Sequence, residues 1–166
     1  MPASRDFFDE VTRRTTQGQT VAMATIVRTR GSTPREVGAK MLVRPEGSIV
    51  GTVGGGCGEA DVWRAALTVM DSLEPMTVAI DLTEPLDMNS QGVCGGILDV
   101  FVEPWTGTSP VDVHRPLGTP ELSERIVAAL DEKRAIAVVT VVESRGDGVP
   151  LVGTHVLVNE DGTPEE

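Results

Sequence analysis

Val37-Gly38-Ala39-Lys40-Met41-Leu42-Val43 returns later in the chain, without a gap, as Val152-Gly153-Thr154-His155-Val156-Leu157-Val158. The same alignment carries Thr25-Ile26-Val27-Arg28-Thr29-Arg30-Gly31 onto Thr140-Val141-Val142-Glu143-Ser144-Arg145-Gly146, and Gly47 onto Gly162. An ungapped match of this length implies a duplicated structural unit. In each copy the apolar, β-branched runs read as strands and the glycines between them as turns. A helical segment precedes each copy at the matching position. The first carries Phe7, Phe8 and Val11 behind a Ser4 cap and ends near Gly18; the second is Leu122–Lys133. The repeated unit is helix–strand–strand. The expected fold is α/β, a mixed sheet with flanking helices that the second copy extends.

Working outward, Val21–Val27, Lys40–Arg44 and Ser48–Val53 read as the strands of the first copy. Glu59–Asp71 reads as a helix with Val62, Ala66, Val69 and Met70 on one stripe, and Met76–Leu82 and Ile97–Val102 as two more strands. Glu103–Pro120, rich in Pro, Gly and Thr, reads as a linker. The expected organisation is a first segment 1–104, a linker 105–120 and a partial second copy 121–166. The copies diverge where chemistry is expected: Pro34-Arg35 becomes Val149-Pro150, and Lys40 becomes His155. The second copy reaches Glu166 without a glycine loop, so it reads as structural or incomplete.

That loop belongs to the first copy alone: Gly51-Thr52-Val53-Gly54-Gly55-Gly56-Cys57-Gly58-Glu59, answered by Gly92-Val93-Cys94-Gly95-Gly96. These hold both cysteines of the chain. Glycine lets backbone approach a ligand closely and lets successive N–H groups converge. A thiol just before a helix sits where the helix start favours thiolate and binds anions. The plainer alternative is a pair of tight turns with two small buried thiols. Arg28, Arg30, Arg35, Lys40 and Arg44 form a cationic stretch opposed only by Glu36, which suits a small anionic ligand.

Net charge is −11, which argues against nucleic acid as a general partner. The apolar runs are too short to cross a bilayer, and the N-terminal residues lack the apolar core of a signal peptide. A cytoplasmic location and no membrane partner are expected, with both thiols reduced. Other site chemistries fit poorly. The glycines match neither a dinucleotide fingerprint nor a phosphate-binding loop with its lysine. The histidines, His114 and His155, lie far along the chain from Cys57. Two cysteines alone fall short of a closed metal site, so no metal is expected.

Ala24–Arg35, Gly38-Ala39-Lys40-Met41, the Gly51–Glu59 run and Cys94-Gly95-Gly96 closely resemble the XdhC/CoxI family, maturation factors for xanthine and carbon monoxide dehydrogenases. The resemblance spans about residues 5–105. It implies a non-catalytic accessory protein that binds molybdenum cofactor and supports its sulfuration by a cysteine desulfurase and its insertion into a molybdenum hydroxylase. The cofactor-binding residues it implies are Gly54, Gly55, Gly56, Cys57, Glu59, Cys94, Gly95 and Gly96. To these the cationic stretch adds Arg30, Arg35 and Lys40 as phosphate or oxo contacts. Two features depart from the family pattern. Gly58 stands where the family usually has an aliphatic residue, and the C-terminal Rossmann-type domain of larger members is absent. A separate Rossmann-domain partner or a homo-oligomer is compatible with that absence. The rivals are a thiol-dependent redox or sulfurtransferase enzyme centred on Cys57, and a docking module whose thiols are idle.

Overall fold

The computed structural model describes residues 5–83, 95–107, 119–145 and 152–165. In chain order these form α1 (Arg5–Thr16), β1 (Thr20–Gly31), β2 (Lys40–Val43), β3 (Ile49–Gly51), α2 (Cys57–Ser72), β4 (Met76–Asp81), β5 (Gly96–Thr106), α3 (Thr119–Asp131), β6 (Ile136–Thr140) and β7 (His155–Asn159). The chain divides into two compact units. One is Ala22–Pro104 with Met1–Ala3; the other joins Ser4–Val21 to Trp105–Glu166.

The first unit holds a five-stranded sheet in the order β3-β2-β1-β5-β4. The α/β class expected from the sequence is observed. Strand direction differs from the expected mixture, because the five strands run antiparallel. Short turns at Gly38 and Gly47 return the chain on itself, and hairpin returns give antiparallel neighbours. The register sets Thr25 opposite Lys40, Met41 opposite Gly51 and Asp81 opposite Ile97. The ends of β1 and β3 and the starts of β2 and β5 therefore share one end of the sheet. Ala22, Ala24, Ile26, Met41, Val43, Val100 and Val102 bury one face together with Val62, Ala66 and Val69 of α2. Burial of this apolar stripe, at about 25 cal/mol per Å², is what docks the helix.

In the second unit α1 packs along α3, and Arg5 pairs with Asp131 at 2.5 Å. Its core includes Phe7, Phe8, Val11, Trp105, Leu122, Ile126 and Leu157. Trp105 lies 6.4 Å from Phe8 and 5.4 Å from His155, ring centre to ring centre. β5 continues through Trp105 and Thr106, and α3 starts at Thr119, so both enter the stretch read as a linker.

The duplication is visible bond by bond. Ala22 faces Val43 and Thr25 faces Lys40, as Ala137 faces Val158 and Thr140 faces His155. Gly38 N–H donates to the Ile26 carbonyl at 2.8 Å, and Gly153 N–H to that of Val141 at 2.8 Å. The Lys40 ammonium donates to Thr25 Oγ1 at 2.8 Å, and His155 Nδ1 meets Thr140 Oγ1 at 3.0 Å. The second copy does not extend the first sheet, however. β6 and β7 form a two-stranded sheet of their own.

Candidate functional site

The three glycine-bearing stretches singled out in the sequence converge at one end of the five-stranded sheet. A methyl placed on Gly31 would stand 2.8 Å from the Gly95 carbonyl oxygen, and one on Gly96 would stand 2.5 Å from that of Ser32. One on Gly54 would meet Pro34 Cγ at 3.2 Å. Side chains cannot be tolerated at Gly31 and Gly96 because backbone lies opposite them. These glycines let the Arg30–Arg35 turn, the Gly51–Gly56 loop and the start of β5 interlock.

Gly55 and Gly56 have a different reason. Both hold positive φ, 71° and 78°, and nothing lies within 4 Å of the space a Cβ would take. They present bare backbone to open space just before α2, whose first residue is Cys57. Gly56, the N-cap, offers no side-chain acceptor to the first-turn N–H groups. Gly95, with φ 71°, is equally open. Cys94 lies outside the described residues.

Glu59 fixes the loop from within. Its carboxylate accepts the Thr52 hydroxyl in a short hydrogen bond and the Gly55 N–H at 3.1 Å, while Gly54 N–H donates to Thr52 Oγ1 at 3.2 Å. The acid, third residue of the helix, reaches back past the N-cap to the residue before it, a displaced form of the capping-box reach-back. The amides of Gly54 and Gly55 are thus engaged by the loop's own side chains. The backbone that remains for an anion is the helix start at Gly56 and Cys57. Thr52 was not singled out from the sequence; a hydroxyl on the entering arm of a glycine loop that ends in an acid is the signal for it.

The cationic residues separate. Arg30 donates to both Asp99 oxygens at 3.3 and 3.4 Å, and Arg28 lies 3.7 Å from the same carboxylate. Asp99 was missed in the sequence because only the β1–β5 pairing brings it there. Burial pushes the Lys40 ammonium below the usual lysine range, and nearby Glu103 pulls it back up. What touches the glycine loop is the Lys40 carbonyl, which accepts the Thr52 N–H at 3.2 Å. Arg35 is exposed beside Pro34, its carbonyl holding the Thr33 hydroxyl at 3.0 Å, and it has no ion pair among the described residues. Of the cations proposed from sequence, Arg35 is the exposed one without an ion pair among the described residues. No three acidic, histidine or cysteine residues are grouped as a metal site among the described residues.

The segment that builds this end is the one with relatives. A family model for the XdhC and CoxI family matches residues 15–81. Over these residues the chain is similar to that family. An uncharacterized protein of Escherichia coli, YqeB, is 38% identical over 97 residues, covering 58% of this chain and 18% of that protein. A Bacillus subtilis protein described as a probable xanthine dehydrogenase subunit is 35% identical over 83 residues, covering 49% of this chain and 25% of that protein. The chain thus matches a quarter or less of the length of these curated relatives. A solved Bacillus halodurans structure described as a xanthine dehydrogenase superposes with a TM-score of 0.71 at 25% identity, covering 99% of this chain and 44% of that one. No helix among the described residues is long and apolar enough to cross a membrane.

Proposed function

We propose that this chain is an accessory protein that binds molybdenum cofactor and supports its sulfuration and insertion into a molybdenum hydroxylase of the xanthine or carbon monoxide dehydrogenase type. The observation that carries the proposal is the meeting of the three glycine stretches around the start of α2, on the segment that matches a maturation-factor family. The donor set suits an anionic ligand with sulfur chemistry. Open backbone at Gly55, Gly56 and Gly95 leaves the space that side chains would have filled. Helix-start N–H groups at Gly56 and Cys57, with Arg35 nearby, would hold the phosphate. Cys57 would supply the thiol, and a thiol at a helix start is favoured as thiolate. When bound, the cofactor would supply the molybdenum centre used by the receiving dehydrogenase. Glu59 and Thr52 would keep the loop in shape, and the Gly31–Gly95 contact would hold the second glycine stretch beside it. A cysteine desulfurase would be the sulfur donor, and a cytoplasmic location would follow from these partners.

Gel filtration with molybdenum cofactor tests this directly. Wild-type protein should carry the cofactor through the column, and Cys57→Ala and Arg35→Ala should retain less than a third of it. Equal retention by Cys57→Ala removes the thiol from the site. Persulfide turnover on a small-molecule acceptor without any partner would instead favour the sulfurtransferase reading centred on the same cysteine.

A further inference from the structure

Glu59 carries a charge that no cation cancels. It is half-buried in the first turn of α2 and makes no ion pair among the described residues. One of its oxygens, Oε1, accepts both the Thr52 hydroxyl and the Gly55 N–H. The single proton of Thr52 Oγ1 thus goes to Glu59, while the same oxygen accepts the Gly54 N–H at 3.2 Å. The cations read from the sequence as ligand contacts are committed elsewhere, the Lys40 ammonium to Thr25 and Arg30 to Asp99. Arg35, exposed beside the Pro34 that Gly54 approaches, is the exception.

This carboxylate is a resident anion of the glycine loop. It already sits on the Gly55 N–H, and the Gly56 N–H follows one residue on, with consecutive Cα atoms about 3.8 Å apart. A phosphate oxygen accepting the Gly56 or Cys57 N–H would therefore stand about 5 Å from it. Two unit charges at that separation repel enough to weaken binding about fourfold even at the dielectric constant of water, and more in a partly buried site. A dianion meets the repulsion twice. Keeping the loop in shape needs only an acceptor here, which a glutamine carbonyl also supplies. What the carboxylate adds to an amide is its charge. Free inorganic phosphate has only its own oxygens to set against that charge. A phosphate at one end of a larger molecule has further contacts, along the open backbone at Gly55 and Gly95, to offset it.

We propose that Glu59 determines the specificity of this site: its carboxylate rejects free phosphate and other small anions and admits a phosphate only as part of a larger ligand. The inference rests on the cofactor site proposed above.

Titration with inorganic phosphate at low salt, followed through the amide resonances of Gly55, Gly56 and Cys57, tests it. Glu59→Gln keeps the acceptor and removes the charge, and should bind phosphate at least about fivefold tighter than wild type. Thr52→Val loosens the same loop but keeps the charge, and should bind phosphate no tighter than wild type. In gel filtration, wild-type protein should retain molybdenum cofactor in a large molar excess of inorganic phosphate, whereas Glu59→Gln should lose most of it. Phosphate binding by Glu59→Gln no tighter than wild type overturns the proposal, and the cofactor site stands if the Gly56 and Cys57 resonances still move. Equal tightening by Thr52→Val overturns it as well, since loop shape and not charge would then be the cause. Loss of cofactor from wild type in phosphate also overturns it, and that arm needs no variant to fold. If phosphate moves no resonance in either protein the proposal falls, and the cofactor site falls with it only where wild type also fails to retain cofactor without phosphate.

Discussion

Lys40 donates to Thr25 Oγ1 at 2.8 Å from a half-buried strand position, where burial outweighs the attraction of Glu103 and holds the ammonium below the usual lysine range. In the unfolded chain the same group titrates at about 10.4. Between the lowered folded value and that one, the unfolded state binds more protons, so stability rises with pH across the window. Below the folded value the burial penalty is constant. Lys40→Met removes the group, and its urea midpoint should stay level over the alkaline range where the wild-type midpoint climbs. An equal climb in both proteins would show that Lys40 is not its source. The residue scale also marks the limit of sequence reading. The charges of Arg30, Lys40 and Glu59 are plain in the letters and suggested ligand contacts. Their partners Asp99, Glu103 and Thr52 come from strand register and loop closure, which one sequence does not display.

Among the elements, α2 and β4 meet at a point where two effects oppose. Gly58 lies in the first turn of α2, where alanine would ordinarily gain about 1 kcal/mol. Its Cβ, however, would stand 2.7 Å from Cγ2 of Ile80, which is 4% exposed. A β-branched side chain in a packed core has little room to turn aside, and overpacking costs about 1–3 kcal/mol. Gly58→Ala should therefore destabilise the protein on balance. Placed on an Ile80→Ala background it should become neutral or stabilising, with a coupling above about 1 kcal/mol in a urea double-mutant cycle. Additive effects would mean that α2 does not press on β4 at this point. The glycine that departs from the family pattern is thus explained by packing. Strand and helix positions were largely legible from periodicity, but their ends were not. β1 runs on to Gly31 beside the start of β5, where Arg28 and Arg30 meet Asp99, and β5 runs through Glu103 and Pro104 to Thr106 although the composition there reads as linker.

At the scale of the whole molecule, the ungapped repeat was the most legible feature, and the sheet its second copy would join was the least. The identical registers of β1–β2 and β6–β7 show that local sequence sets each hairpin, through the same glycine turns and the same threonine opposite Lys40 or His155. What a hairpin pairs with next is a non-local outcome, decided by β5 in one copy and left open in the other among the described residues. The two cross-strand pairs offer a measure of how independent the copies are. Thr25 and Lys40 belong to one compact unit, Thr140 and His155 to the other, and the two hydrogen bonds join different residues. Thr25→Val removes an acceptor from an ammonium and should cost about 1.5–3 kcal/mol, whereas Thr140→Val removes a bond to an imidazole and should cost about 0.5–1.5 kcal/mol. Because sites in separate units act independently, the double variant should lose the sum to within about 0.5 kcal/mol. A departure larger than that in urea unfolding would mean that the hairpins sense each other, and the repeat would then be one energetic unit rather than two.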